Sequence, residues 1–550
     1  MQAVTPRLRP VGAVTRLRRV VDRRPRRGER GYVAVVTALL LPVFMIISGF
    51  AVDVGHWYYV GQQEQRAADA AALAGVTSLP ADQASAYADA MTYARANGFS
   101  TATGDTVTPT RPAPTRLKVE ISRTVDNYFG PLIGLPTTDV SRRAVAEFSG
   151  PVPMGSPCNR FGDDPDPSMR SGSANCAAAG AFWANIGSPA AQKSYGDAYQ
   201  NNVCSSESGC SGGTNNDYDP EGYTYIVEVK EAINNLTIEA FDPAQIVVGD
   251  RCEKNGLAAA AALPQSRTVV NDPSARYQPN ISAWCTGDQN FGTGLVKTRF
   301  VVRQEGTDPW SPGTWPAIGG CSRTFDPFNG PLGPALDKSS ASFKPAVADT
   351  FRRWVDLCTV NGLVQPGRYA VQVYTNGLGA DGQSGHNRFA LRAYGSNPGS
   401  ADKVSLAGAG KMGMYGNTPS GTSRFYLAKV PTGSGGHSLG INLFDIGDGA
   451  VAGSTIRVLP PAEYGGSFSG CTGSGVANGS LPTCQIGVNS SFNGKWQTIS
   501  VPIPSGYSCD DTSPTGCWVR LEFYYGAGSQ PLDTTSWTAS LEGDPIRLVE

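Results

Sequence analysis

Apolar positions run without a charged residue from Tyr32 to Val52, YVAVVTALLLPVFMIISGFAV. A helix of that length reaches about 30 Å, the thickness of a bilayer's hydrocarbon core. Pro42 stands inside it, and membrane helices accommodate a proline when the freed backbone groups find other partners. The pattern then changes. Residues 58–75, YYVGQQEQRAADAAALAG, are rich in helix formers and predict that the helix continues past the apolar block, with Gly75 as C-cap. Residues 82–97 predict a second helix with Ala86, Ala90, Tyr93 and Ala94 on one face and Gly98 as its stop. Residues 116–125 alternate apolar and polar and predict a half-buried strand; NYFGPLIGL (127–135) reads as a short helix or turn, and 137–148 as another strand.

Residues 150–220 are loop-like, with a possible strand start at FWANIGSP (182–189). From there the period is two. Strands are predicted at 222–230, at 234–248 as a pair around Asp242-Pro243, and at 297–304, 368–375 and 388–395. Residues 396–420, rich in Gly, Ser and Met, read as a break. Strands resume at 424–430, 438–449, 454–461, 496–504, 517–526 and 536–550. The run GYTYIVEV…LTIEAFD is echoed by RFYLAKV…INLFD, which points to an internal duplication with Phe-Asp at 241–242 and 444–445. The fold class expected is α+β: a disordered basic tail (1–30), a transmembrane helix (31–55), a small α/β unit (56–150) and two disulfide-bonded, jelly-roll-like antiparallel β-sandwiches (151–400 and 401–550).

Charge changes the picture at the N-terminus. Ten arginines against Asp22 and Glu29 make the first 30 residues +8, and a whole-chain charge of −1 leaves −9 for the rest. The basic flank predicts an N-terminus in the cytoplasm and a body outside the cell membrane; the acidic remainder argues against nucleic acid as a partner. A cleaved signal peptide fits less well, because its apolar core is shorter and Asp53 and His56–Tyr59 make a poor cleavage site. No apolar tail closes the sequence, so a single anchor is expected. All twelve cysteines follow the apolar block, at Cys158, Cys176, Cys204, Cys210, Cys252, Cys285, Cys321, Cys358, Cys471, Cys484, Cys509 and Cys517. None forms Cys-x-x-Cys, so disulfides are expected, paired between neighbours in order because short loops close at least entropic cost.

Arg30-Gly31, AVVTALLLPV (34–43), GFAVDVGHWYYV (49–60) and QRAADAAALAG (65–75), followed by a strand, an aromatic turn and a strand ending SRRAVAEF, resemble the N-terminal region of Tad-type (TadE/TadG-like) Flp pilus-assembly proteins. The resemblance covers about the first quarter of the chain. It implies a membrane protein associated with pilus assembly or surface adhesion, with pilus-assembly components as partners, and it carries over no catalytic residue. Two features depart from relatives. The window Val33–Ala38 lacks the glutamate used in prepilin processing, so an uncut anchor is expected. Asp-x-Ser-x-Ser, the von Willebrand A metal motif, is absent.

Candidate chemistry is sparse. Asp217, Asp219, Glu221 and Glu228 have the spacing of a calcium loop, but Pro220 interrupts it and residues 223–229 alternate like a strand; solvated acidic turns are the plainer reading, and no metal or cofactor is assigned. Gly209–Gly213 formally matches G-x-S-x-G without the strand–turn–helix that motif needs. His56 stands at the membrane exit, while His386 and His437 read as exposed loop residues. Trp496, Trp518 and Trp537 lie in strand patterns and read as core; Trp310 and Trp315, in DPWSPGTWP, read as an exposed pair able to stack on a glycan. A glycosidase pair of acids leaves no sequence signature, and the N-x-S/T sites at Asn235, Asn280, Asn478 and Asn489 carry little weight. The function expected is structural: a bilayer-anchored pilus-assembly or adhesion protein, not an enzyme. A glycan- or matrix-binding module is the alternative, and an exported hydrolase fits least.

Overall fold

A computed structural model of the chain describes residues 29–79, 83–113, 116–148, 151–163, 171–172, 176, 182–250, 286–292, 294–306, 308–417, 421–510, 513, 515–527, 532–541 and 546–549. Helix α1 (Glu29–Val76) has 48 residues, a rod of about 72 Å. Its apolar half exposes side chain after side chain, from Tyr32 to Val54, whereas its second half buries Ala67, Ala68, Ala71, Ala72 and Val76. That second half packs on α2 (Gln83–Ala96) and on a sheet of β1 (Thr106–Ala113), β2 (Arg116–Asp126) and β3 (Thr137–Phe148). β2 buries Leu117, Val119 and Ile121 on the helix side, as its alternation requires.

The body consists of two large antiparallel sheets. The first part of the chain supplies β4 (Pro153–Met154), β5 (Arg160–Phe161), β6 (Phe182–Gly187), the short hairpin β7 (Cys210–Ser211) and β8 (Thr214–Asn215), β9 (Tyr223–Val229), β10 (Ile233–Phe241) and β11 (Gln289–Asn290). β12 (Thr298–Gln304), β13 (Ala317–Phe325), β14 (Trp354–Val364), β15 (Gly367–Tyr374) and β16 (Gly385–Gly395) follow. Next come β17 (Val404–Ala409), β18 (Lys411–Asn417), β19 (Gly421–Lys429), β20 (Ser438–Phe444) and β21 (Thr455–Leu459). The last strands are β22 (Cys471–Gly475), β23 (Gly479–Leu481), β24 (Gln485–Gly487), β25 (Trp496–Pro502), β26 (Trp518–Tyr525), β27 (Leu532–Leu541) and β28 (Ile546–Leu548).

The duplication is in the pairing. β9–β15–β12 and β14–β10–β16 recur, strand for strand, as β19–β26–β21 and β25–β20–β27. β10 and β20 both end in Phe followed by an Asp in the left-handed region, Asp242 at φ +52° and Asp445 at φ +59°. Phe241 stands opposite Trp354, and Phe444 opposite Trp496. Each repeat is a sandwich, with cross-sheet ring contacts at its centre: Phe300 on Phe389 in the first, Phe425 on Trp537 in the second. The two sandwiches sit side by side, so that their sheets run on without a gap at residue 400. β18 pairs with β6, β17 with β9, and the two residues of β4 bridge β17 to β19.

Four expectations change. The break at 396–420 holds β17 and β18, two central strands; their small residues are buried on both faces, which erases alternation. The second strand of 234–248 does not form. Beyond Asp242 the backbone is tied down by long-range bonds instead, Ile246 N–H to Asp288 Oδ2 (2.8 Å) and Val247 N–H to Phe328 O (2.9 Å). The stretch 536–550 divides: β27 belongs to the second sandwich, but β28 returns to the N-terminal unit and covers the edge of β3, Ile546 opposite Phe148. Gly75 lies inside α1, one residue before its end, and is not a cap.

Among the described residues five disulfides each join cysteines adjacent in order: Cys158–Cys176, Cys204–Cys210, Cys321–Cys358, Cys471–Cys484 and Cys509–Cys517. Cys252 and Cys285 lie outside the described residues, as do residues 1–28 of the basic tail and the site at Asn280.

Candidate functional site at the exit of the apolar helix

Asp53 is the first charged residue after the apolar block, yet it is 1% exposed. Its carboxylate accepts three consecutive backbone N–H groups from the turn between β2 and β3: Tyr128 (2.7 Å), Phe129 (3.1 Å) and Gly130 (2.7 Å). One helical turn on, Trp57 Nε1–H donates to Asn127 Oδ1 at 2.6 Å; the Asn127 amide in turn donates to Leu135 O and Thr138 Oγ1. Phe129 lies across Gly49, where a Cβ would stand 2.5 Å from its ring. His56 meets Tyr128 edge-on, 5.1 Å between centroids. A carboxylate, an indole and a missing side chain, all on one face of α1, thus clamp the 127–138 turn to the helix.

Farther out the contact is made by alanines. Ala67, Ala68, Ala71 and Ala72 of α1 meet Ala86, Ala90 and Ala94 of α2, and Gly75 closes the approach: a Cβ there would stand 2.4 Å from the Ala86 carbonyl oxygen. Side chains this small let two helices and a sheet pack backbone to backbone. Between clamp and alanine seam lies Glu64, fully buried. Burial pushes its pKa up to about 7, against the opposing pull of Arg142 and Arg123. Gly61 leaves the space that the Arg142 guanidinium occupies.

Residues 31–90 match the Tad family of TadE/G-like Flp pilus-assembly proteins. The matched stretch takes in the apolar half of α1, Asp53, Trp57, Glu64, the seam alanines up to Ala90 and the first part of α2, and the sheet that these helices rest on comes from sequence beyond the match. No curated protein and no solved structure matches the chain.

The sandwiches disperse the residues singled out for chemistry. Asp217 Oδ2 accepts from Lys193 Nζ (2.7 Å) and Trp496 Nε1 (2.8 Å). Asp219 pairs with Lys411, Glu221 accepts from Gln372, and Glu228 accepts from Ser405. The four acids therefore share no partner, and they do not join in any described group of three ligand atoms within 4.8 Å. The two groups that do, Cys204/Glu207/Cys210 and Glu463/Cys509/Cys517, have their sulfurs in disulfides. Gly209–Gly213 supplies β7 and the turn of the β7–β8 hairpin.

Two readings are corrected. His386 is not an exposed loop residue. It lies in β16, wholly buried edge-on to Phe291, and burial holds its imidazole well below the usual range. Trp310 is exposed but Trp315 is not: its indole folds under the loop, donating to Asp308 O (2.6 Å) beneath the Arg368 guanidinium. The two indoles form no common platform. His437 is exposed, and Trp518 and Trp537 are buried.

Sequence alone did not single out Lys193. It is fully buried, held by Asp217 and Ser208 O and seated over the rings of Phe444 and Trp496. It ties the segment between β6 and β9 to the second repeat, a contact that no local pattern marks.

Proposed function

We propose that the protein is a single-pass, bilayer-anchored component of a Tad/Flp-type pilus-assembly system. In this reading its N-terminus is cytoplasmic, its paired sandwiches stand outside the cell, and its role is structural, not catalytic. The family match over residues 31–90 supports the pilus-associated role. The observation that carries the rest is the continuity of α1: one helix passes from an apolar stretch bare on nearly every side into a stretch buried against α2 and the sheet. Anything binding α1 in the membrane is therefore mechanically coupled to the body. Partners are expected on α1 and the α1–α2 unit, where the family match lies. In vivo photocrosslinking from exposed positions of this unit, such as Tyr93, followed by mass spectrometry, tests it; capture of pilus-assembly components is the expected result. A protease-accessibility assay that placed Glu550 in the cytosol would overturn the topology.

A second reading, a surface-binding module, is favoured by the shallow cleft at the seam of the sandwiches. It is lined by Lys230, Lys429, Arg368 and Trp518. Glycan-array binding lost on Lys230→Ala would support it.

A further inference from the structure

The turn that Asp53 clamps is itself apolar. From Asn127 to Thr138 it carries no charged residue, NYFGPLIGLPTT. It exposes Tyr128, Phe129, Leu132 (75%), Ile133 and Leu135, and this surface continues the bare surface of α1, with Ile46 and Phe50 lining the crease between them. Depth is the telling quantity. Ile46 lies six residues before the end of the uncharged block at Val52, about 9 Å along a helix axis. The aromatic residues that suit a headgroup region, Trp57, Tyr58 and Tyr59, come later. The turn reaches back past them toward the apolar stretch, not away from it.

Backbone groups in hydrocarbon must be satisfied within the protein, and most of the N–H groups of this turn are. Asp53 takes the N–H groups of Tyr128, Phe129 and Gly130. The turn's own carbonyls take those of Leu132, Gly134 and Leu135, while Pro131 and Pro136 have none to satisfy. A solvent-exposed loop has no need of a buried acid spent on three of its amides.

We propose that the 128–135 turn is a second membrane-inserted element, seated in the acyl–headgroup boundary of the outer leaflet of the bilayer that α1 crosses. The body is then held at two points, which fixes its tilt and rotation on the membrane. Lipid is the occupant favoured because the turn's apolar surface is continuous with that of α1. The inference rests on α1 being a membrane span, and the test separates the two.

The full chain is reconstituted in phosphatidylcholine/phosphatidylglycerol vesicles with the environment-sensitive dye NBD on a cysteine introduced as Leu132→Cys. Ile46→Cys serves as the reference within the span, and Ser339→Cys, exposed on the sandwiches, as the aqueous reference. The expected result is emission from position 132 that is blue-shifted toward that of position 46 and quenched by doxyl groups placed on shallow acyl-chain carbons. Emission at 132 like that at 339, with 46 still in lipid, overturns the inserted turn and leaves the anchor standing. A blue shift at 132 without doxyl quenching means that protein, a second copy of the chain, covers the turn, and also overturns it. Aqueous emission at 46 overturns the span and the inference together.

Discussion

The Asp53 carboxylate accepts the backbone N–H of Gly130 at 2.7 Å, from 77 residues away in sequence. With the neighbouring N–H groups of Tyr128 and Phe129 it makes this one side chain the joint between the apolar helix and the body. Replacing it by alanine leaves three donors under-satisfied, and buried donors without partners cost about 1–3 kcal/mol each when water cannot reach them. For Asp53→Ala we expect faster hydrogen exchange at the 128–130 amides by at least tenfold, with the α1–α2 seam unaffected. Asp53→Asn, which keeps one acceptor oxygen, should fall between. Unchanged exchange in the alanine variant would mean that the clamp does not hold the turn.

Gly75 is expected to tolerate nothing larger. Gly75→Val places carbon atoms against the Ala86 carbonyl, Leu117 and Ala90, and overpacking of this kind costs about 1–3 kcal/mol. A lowered urea midpoint for unfolding of the N-terminal unit, followed through Trp57 fluorescence, is the readout. A paired Ala90→Gly change, which relieves only one of the three contacts, should recover part of the loss.

Buried acids, Glu64, Asp445 and Asp533 among them, set the pH response. In the folded chain Glu64 titrates at about 7, raised by burial against Arg142 and Arg123, with Asp105 adding to the rise. Asp445 titrates at about 8, raised by burial and then by Asp448, opposed by the Gly494 N–H, with Glu207 raising it further. Asp533, buried beside Asp445 and Asp448, is raised as well. The folded state thus holds protons that the unfolded chain releases. The stabilisation is full below the ordinary carboxylate range, near 4, and is lost as pH rises through about 7 and 8. Glu64→Gln and Asp533→Asn should each raise the melting temperature of the full chain at pH 8 and have little effect at pH 4. A variant less stable than the parent at both would contradict this sign.

The bridges should differ in worth. Cys321–Cys358 closes a loop of 37 residues and Cys204–Cys210 one of 6. On the chain-entropy account the longer loop contributes about 1.6 kcal/mol more. Melting of the two double-serine variants, measured side by side, tests that order.

Calcium should leave the 217–228 segment indifferent, because Asp217 is already tied to Lys193 and Trp496, and Asp219 to Lys411. Asp217→Asn is expected to lower the melting temperature by the same amount in chelator and in millimolar calcium. A loss seen only with calcium present would restore the metal reading.

Much of this protein follows from local pattern. An uncharged run of bilayer length, an alanine-rich helix after it, the alternation of β2 and β9, the Phe-Asp echo and the order of the cysteines are properties of neighbouring residues, and neighbours alone set period, propensity and loop-closure entropy. What needed the tertiary structure is what depends on a distant partner. β17 and β18 carry no alternation because sandwiching on both faces removes the reason for it. His386 and Trp315 are buried by strands and loops remote in sequence. β28 leaves the sandwich behind it because β3 offers an open edge some 400 residues upstream. Asp53 and the 127–138 turn could each be read from the chain, as an acid beside a greasy helix and as an apolar turn. That one satisfies the other is decided by the fold, since a buried carboxylate and three orphan amides are stable only when brought together.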